Sequence, residues 1–257
     1  MFGAEISGRF GLPPNSLSYC GKPNFRRAFA AYLADKSATS RRALELELSK
    51  FTAHYAYLRL IAKASGFRPF DAKVSEALWI GNGLLRKAGR RSMQQLMLRE
   101  FSGPGRLPRK KALALASSLP AGALPHHSFH ALYVHTISGV IAPSVKNADS
   151  CMVHWGKVIK AGMSPWKKGG KSGMPGSGGP SVLVQSQKLV RKKGKLALVP
   201  CARRLRLSCA GIVLLHSVKT GGIVASHWGV AVMKLSARQA RQLESVTRRN
   251  IQALNSI

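Results

Sequence analysis

Acidic side chains are nearly missing from this chain. Nine Asp plus Glu stand against 41 Lys plus Arg, a formal net charge of +32, and from Ser150 through Leu243 there is not one Asp or Glu. Paired-carboxylate acid–base catalysis is thereby almost excluded. Cysteine is scarce as well. The four, at 20, 151, 201 and 209, form no Cys-x-x-Cys pair, which argues against a structural zinc finger. No apolar run approaches the roughly 20 residues that cross a bilayer, and no apolar leader follows Met1. The expectation is a cytoplasmic protein with free thiols and no membrane partner. No Gly-x-Ser-x-Gly anchors a hydrolase triad. The Gly-Lys-Ser172 run has Pro165 where a phosphate loop needs its first Gly, so nucleotide binding there is not expected. Together these absences favour a non-enzymatic role.

What is present divides into two parts, an α+β chain with a helical domain over 1–145 and a small OB-like β-barrel over 150–257. Prolines and glycines in residues 1–24 predict a turn-rich start without a long helix. Asn24 caps a helix carrying Phe25, Phe29, Tyr32 and Leu33 on one face. Leu44, Leu48, Phe51, Tyr55, Leu58 and Ala62 recur at steps of four and three, which predicts one helix from about Ser40 to Gly66. Asp71 caps the next, running toward Leu85 past the Gly81-Asn-Gly83 step, and further helices are expected over 92–101 and 109–119.

Beyond about residue 150 short strands take over, at 152–160, 181–189, 195–200, 203–208, 211–215 and 227–233. A Gly/Lys-rich loop over 163–180 separates the first two. The chain closes with a helix over 236–254, begun by the capping box Ser236-Ala-Arg-Gln239.

Thirteen Lys and Arg lie within 157–206. Lys167, Lys168, Lys171, Lys188, Arg191, Lys192, Lys193, Arg203, Arg204 and Arg206 are the candidate phosphate contacts if the barrel binds nucleic acid, with Trp155, Trp166 and Trp228 to stack on bases. The bland alternative is a solvated basic face.

Two stretches share a pattern that composition does not explain. Cys151-Met-Val-His-Trp-Gly-Lys-Val158 and Ser226-His-Trp-Gly-Val-Ala231 each start at or beside a soft or borderline metal ligand and pass through Gly into a β-branched run. This predicts that Cys151 and His227 open two strands and meet at one end of the barrel, a thiolate and an imidazole suited to iron. The competing view makes the tryptophans packing residues and the histidines solvated ones. A second candidate set is Pro125-His-His-Ser-Phe-His130. If Pro125 starts a helix, His126 and His130 fall on one face at i and i+4, a chelating spacing, with His127 beside them. The alternative is a turn with solvated imidazoles.

Residues 151–257 resemble the hydrogenase-maturation chaperones of the HypC/HupF type, in which Cys-x-x-x-x-Gly-Lys-Val begins one strand and His-x-Gly-Phe-Ala lies on a later one. Here the motifs read Cys151 to Val158 and His227-Trp-Gly-Val-Ala231, with Val230 in place of the Phe. Residues 1–150, with Pro13-Pro-Asn15, Tyr19-Cys-Gly21, Leu78-Trp-Ile-Gly-Asn82 and Pro125 to His130, look like an uncharacterised prokaryotic family that joins a helical part to such a tail. The resemblance implies a transient iron site at Cys151 and His227. It also implies an accessory protein whose partner is a metalloenzyme or its maturation machinery.

Overall fold

The computed structural model describes residues 1–163 and 179–257. It is a mixed helix and sheet structure, and none of its described helices is long and apolar enough to cross a membrane.

The first helix, α1 (Gly3–Ser16), runs through the stretch expected to be turns. Its two prolines sit in the last turn, so each deletes one intrahelical hydrogen bond without breaking the helix in its middle. The position that Pro14 leaves without a donor is the carbonyl of Phe10, four residues back. Burial makes good the loss: Phe10 and Leu12 are wholly enclosed.

Next come α2 (Asn24–Asp35), α3 (Ala38–Ser49), α4 (Thr52–Ser65) and α5 (Ala72–Trp79). The single helix expected over 40–66 is two, α3 and α4. The backbone turns at Phe51 (φ −82°, ψ 88°), whose ring packs edge-on to Phe25 at 4.9 Å. Periodicity alone could not see this break, because both helices bury the same stripe. Asp71 caps α5 by accepting from the Lys73 N–H at 2.8 Å. The helix ends before Leu85, since Gly81 has φ +95° and a side chain there would meet Val246 Cγ2 at 2.7 Å. A 3-10 turn (Gly83–Lys87), α6 (Arg90–Arg99) and α7 (Arg109–Ser117) follow. The short α8 (His127–Phe129) passes directly into a π-turn (His130–Val134), and α9 (Val145–Cys151) closes the helical part.

The strands are β1 (His154–Met163), β2 (Ser181–Lys192), β3 (Lys195–Arg206), β4 (Ser208–Cys209), β5 (Ile212–Val213), β6 (Ile223–His227) and β7 (Val230–Leu235). Five of them pair in the cyclic order β1-β2-β3-β7-β6, with β6 returning to β1. Neighbours are antiparallel except β3 and β7, which meet in parallel at Arg206 and Val230. The segments expected at 195–200 and 203–208 are one strand up to Arg206, because Pro200 still faces Gln187 in the ladder and needs no N–H there.

Two hairpins turn in two residues, both with positive φ: Lys193-Gly194 (48°, 78°) and Trp228-Gly229 (49°, 73°). The second corrects an expectation. His227 ends β6 where it was expected to open a strand, because Trp228-Gly229 is the turn itself. Cys151 likewise lies at the end of α9, the helix whose start is capped by Ser144 Oγ accepting from the Asn147 N–H.

The last helix, α10 (Ala237–Leu254), begins at the expected capping box of Ser236 and Gln239. It packs with the helical part as well as the sheet: Asn250 Oδ1 accepts from the Leu124 N–H at 2.8 Å. One apolar core joins Phe10, Leu12 and Trp79 to Val153, Ala225, Val230 and Leu243. The boundary near residue 150 is therefore crossed by continuous packing.

Candidate metal centre

Three side chains from three separate elements converge below a cavity of about 470 Å³. The ring nitrogens of His127 (α8) and His227 (end of β6) and the sulfur of Cys151 (end of α9) offer one ligand atom each, all within 4.8 Å of one another. Cys151 Sγ is 3.8 Å from His127 Nε2. The expected meeting of Cys151 and His227 is thus found, although neither opens a strand.

His227 is held at both nitrogens. Its Nδ1 lies 2.7 Å from the Phe10 carbonyl, the acceptor that Pro14 leaves without a helical partner. Its Nε2 lies 2.9 Å from the Cys151 carbonyl. Both neighbours are pure acceptors, and a neutral imidazole has one N–H. Burial drives the ring's pKa down to about 4, against smaller opposing effects of the two carbonyls, so the ring is neutral near pH 7. If the single N–H serves Phe10, the shorter contact, Nε2 is left with a lone pair facing the Cys151 carbonyl, and binding a cation would turn it from that oxygen. A backbone carbonyl fixing the tautomer of a metal-binding imidazole is the usual supporting arrangement at such sites.

His127 Nε2 approaches the same Cys151 carbonyl at 2.9 Å. Its pKa is pushed well below the usual value, first by burial and then by the neighbouring imidazoles of His227, His130 and His126. Its ring lies on Trp79 at 4.4 Å and edge-on to His227 at 5.0 Å. Trp79, stacked on Phe10 at 4.8 Å, is the floor on which both imidazoles stand. Burial pushes the Cys151 thiol far up, Cys20 adds to the rise, and the Trp228 indole works against it. Without a cation the cluster therefore holds a protonated thiol and neutral rings, and a metal would displace the thiol proton. Two imidazoles and a thiolate suit iron or zinc, and three ligands leave a position open toward the cavity.

Asp149 fixes Cys151 from two residues away. Its carboxylate accepts from Arg203 Nη2 at 2.8 Å and from the Leu189 N–H at 2.7 Å, tying α9 to β3 and β2. His154 Nε2 lies 2.7 Å from its backbone carbonyl. Burial raises this carboxyl's pKa, but the His154 ring, the Arg203 guanidinium and the Leu189 N–H outweigh it and hold it at about 2.

The other candidates stand apart from the trio. His126 is the cap of α8: its Nδ1 accepts from the Ser128 N–H at 3.1 Å, and burial lowers its pKa to about 3. Neither His126 nor His130 belongs to the group whose ligand atoms lie within 4.8 Å of one another. His130 lines the cavity but packs edge-on to Tyr57 and Phe101.

Among the candidate phosphate contacts, Lys188, Arg191, Lys192 and Lys193 are exposed toward the tip of the β2–β3 hairpin. Arg203 is taken up by Asp149, and Arg204 Nε donates to Ser181 Oγ at 2.9 Å. Arg206 is half-buried at the parallel junction of β3 with β7. Lys167, Lys168, Lys171 and Trp166, with the loop that carries them, lie outside the described residues. Trp228 is buried against Tyr19 and is unavailable for stacking on a base.

Sequence reasoning named Cys151 and His227 but kept His127 among secondary candidates with His126 and His130, and it gave Cys20 no role at the site.

Fold and site define an α+β protein with an enclosed thiol–imidazole cluster beneath a cavity. The chain belongs to a family of unknown function (DUF6390), whose model matches residues 1–168 and 171–257. No curated protein and no solved structure matches it.

Proposed function

We propose that this protein is a non-enzymatic accessory factor that holds iron through Cys151, His227 and His127 and serves a metalloenzyme or its maturation machinery. The observation that carries the reading is the convergence of one sulfur and two imidazole nitrogens within 4.8 Å. With a metal at Nε2, the His227 N–H at Nδ1 would donate to the Phe10 carbonyl, 2.7 Å away. The closed five-stranded sheet is read as OB-like, and its motifs keep the likeness to hydrogenase-maturation chaperones as the source of the partner class.

Metal analysis of anaerobically purified protein tests this. The wild type should retain about one iron per chain, and Cys151→Ala, His227→Ala and His127→Ala should each lose most of it. Equal iron content in all four proteins would rule the site out.

The alternative, nucleic-acid binding through the basic strands, draws on the exposed hairpin tip. The burial of Trp228 and the pairing of Arg203 with Asp149 weigh against it.

A further inference from the structure

Cys20 lies in the chain about 130 residues from the nearest thiol of the cluster, yet it lines the same cavity as His127, Cys151 and His227. Its side chain keeps an exposed surface while lining the cavity, and the protein packed around it pushes its thiol up to about 11. It stands outside the trio whose ligand atoms lie within 4.8 Å, on the wall of the position that the trio leaves open.

The segment that presents it is held in place. Asn15 Nδ2 donates to the carbonyls of Cys20 and Lys22 at 2.8 and 3.1 Å. Tyr19 packs on Trp228 at 4.9 Å, the residue immediately after His227. A Cβ at Gly21 would collide with the Phe51 ring, so the loop is pressed against the cavity wall. The Tyr57 hydroxyl and His130 Nδ1, from residues that line this cavity, are buried without a hydrogen-bond partner.

Resting on the metal reading above, we propose that Cys20 supplies the fourth ligand, closing a site of two sulfurs and two imidazole nitrogens over a divalent cation. Such a tetrahedral set selects zinc or iron, and it also supplies the negative charge that a cation needs inside a protein of net charge +32. The two thiols each give up a proton to solvent as the cation enters, and no electron is transferred. Ligation requires a reorientation of the Cys20 side chain within its loop. Because the ligand comes from a short surface loop, opening of that segment would expose the cation to a recipient without disturbing the trio.

The experiment is anaerobic titration of the reduced full-length protein with cobalt(II), read by sulfur-to-cobalt charge-transfer absorption, whose intensity follows the number of bound thiolates. Cys20→Ser and Cys20→Ala should still take up cobalt but with about half the wild-type intensity, one thiolate remaining of two. Cys201→Ser, on β3 away from the cavity, should match the wild type. Full intensity in both Cys20 variants overturns the fourth ligand and leaves the trio standing. A wild type that takes up no cobalt overturns the trio and the fourth ligand together.

Discussion

His54 illustrates how much of this protein's chemistry is set by enclosure. Its ring lies against Trp79 at 5.4 Å, its Nε2 is 3.0 Å from Ser7 Oγ, and burial lowers its pKa to about 3. In the unfolded chain the same group titrates near 6.5. Below that pH the unfolded state takes up a proton that the folded state refuses. The stabilisation is complete above about 6.5 and is lost as pH falls toward about 3, at about 1.4 kcal/mol per pH unit per histidine. His126, also lowered to about 3, adds to the effect. Urea unfolding between pH 6 and 4 should therefore show a steep loss of stability in the wild type. It should be shallower in His54→Gln by about 1.4 kcal/mol per pH unit. Identical slopes would mean that His54 is not kept neutral by the fold.

Among the elements, α9 carries Cys151 at its last position, and it owes its placement to one carboxylate. Asp149 ties it to β2 and β3 through part-buried hydrogen bonds to the Leu189 N–H and the Arg203 guanidinium. Replacing Asp149 with Asn keeps the shape but removes the charge that Arg203 faces. The expected cost is about 2 to 3 kcal/mol in chemical denaturation, within the range for breaking a charged, partly buried hydrogen-bonded pair. Loss below about 0.5 kcal/mol would mean that the pair is screened like an ordinary surface bridge.

The element scale is also where sequence reading succeeds and fails for identifiable reasons. Capping chemistry located α5 through Asp71 and α10 through Ser236 and Gln239, because a cap is written in one or two residues. The break at Phe51 was invisible, since the apolar stripe continues across it. The fusion of two expected strands into β3 was hidden by Pro200, which reads as a breaker but lies where no ladder donor is required. Two of the three cluster ligands were legible from their motif spacing. His127 stood out no more than its neighbours His126 and His130, because its selection depends on how α8 is docked against Trp79.

Across the whole molecule, the described residues share packing that ignores the expected division near residue 150. Arg9 Nη1 donates to the Leu214 carbonyl at 2.6 Å, Gln239 reaches Glu76 at 2.8 Å, and Trp79 touches imidazoles from both parts. Residues 150–257 produced alone should therefore lack a cooperative unfolding transition and bind apolar dyes. Co-expression with 1–149 should restore both the transition and a folded complex. A sharp, reversible transition in the isolated fragment would show that its sheet is self-sufficient.

The proline at position 14 has a reach far beyond its own helix. By withholding one amide hydrogen it leaves a carbonyl two turns from the amino-terminal end of α1 with no local claimant, and an imidazole more than two hundred residues later takes it up. Any cargo seated on that imidazole is thus linked to the seating of α1: loosening the helix would weaken the grip, and loading the cargo would tighten the helix. The beginning of the chain becomes a handle on its distant interior.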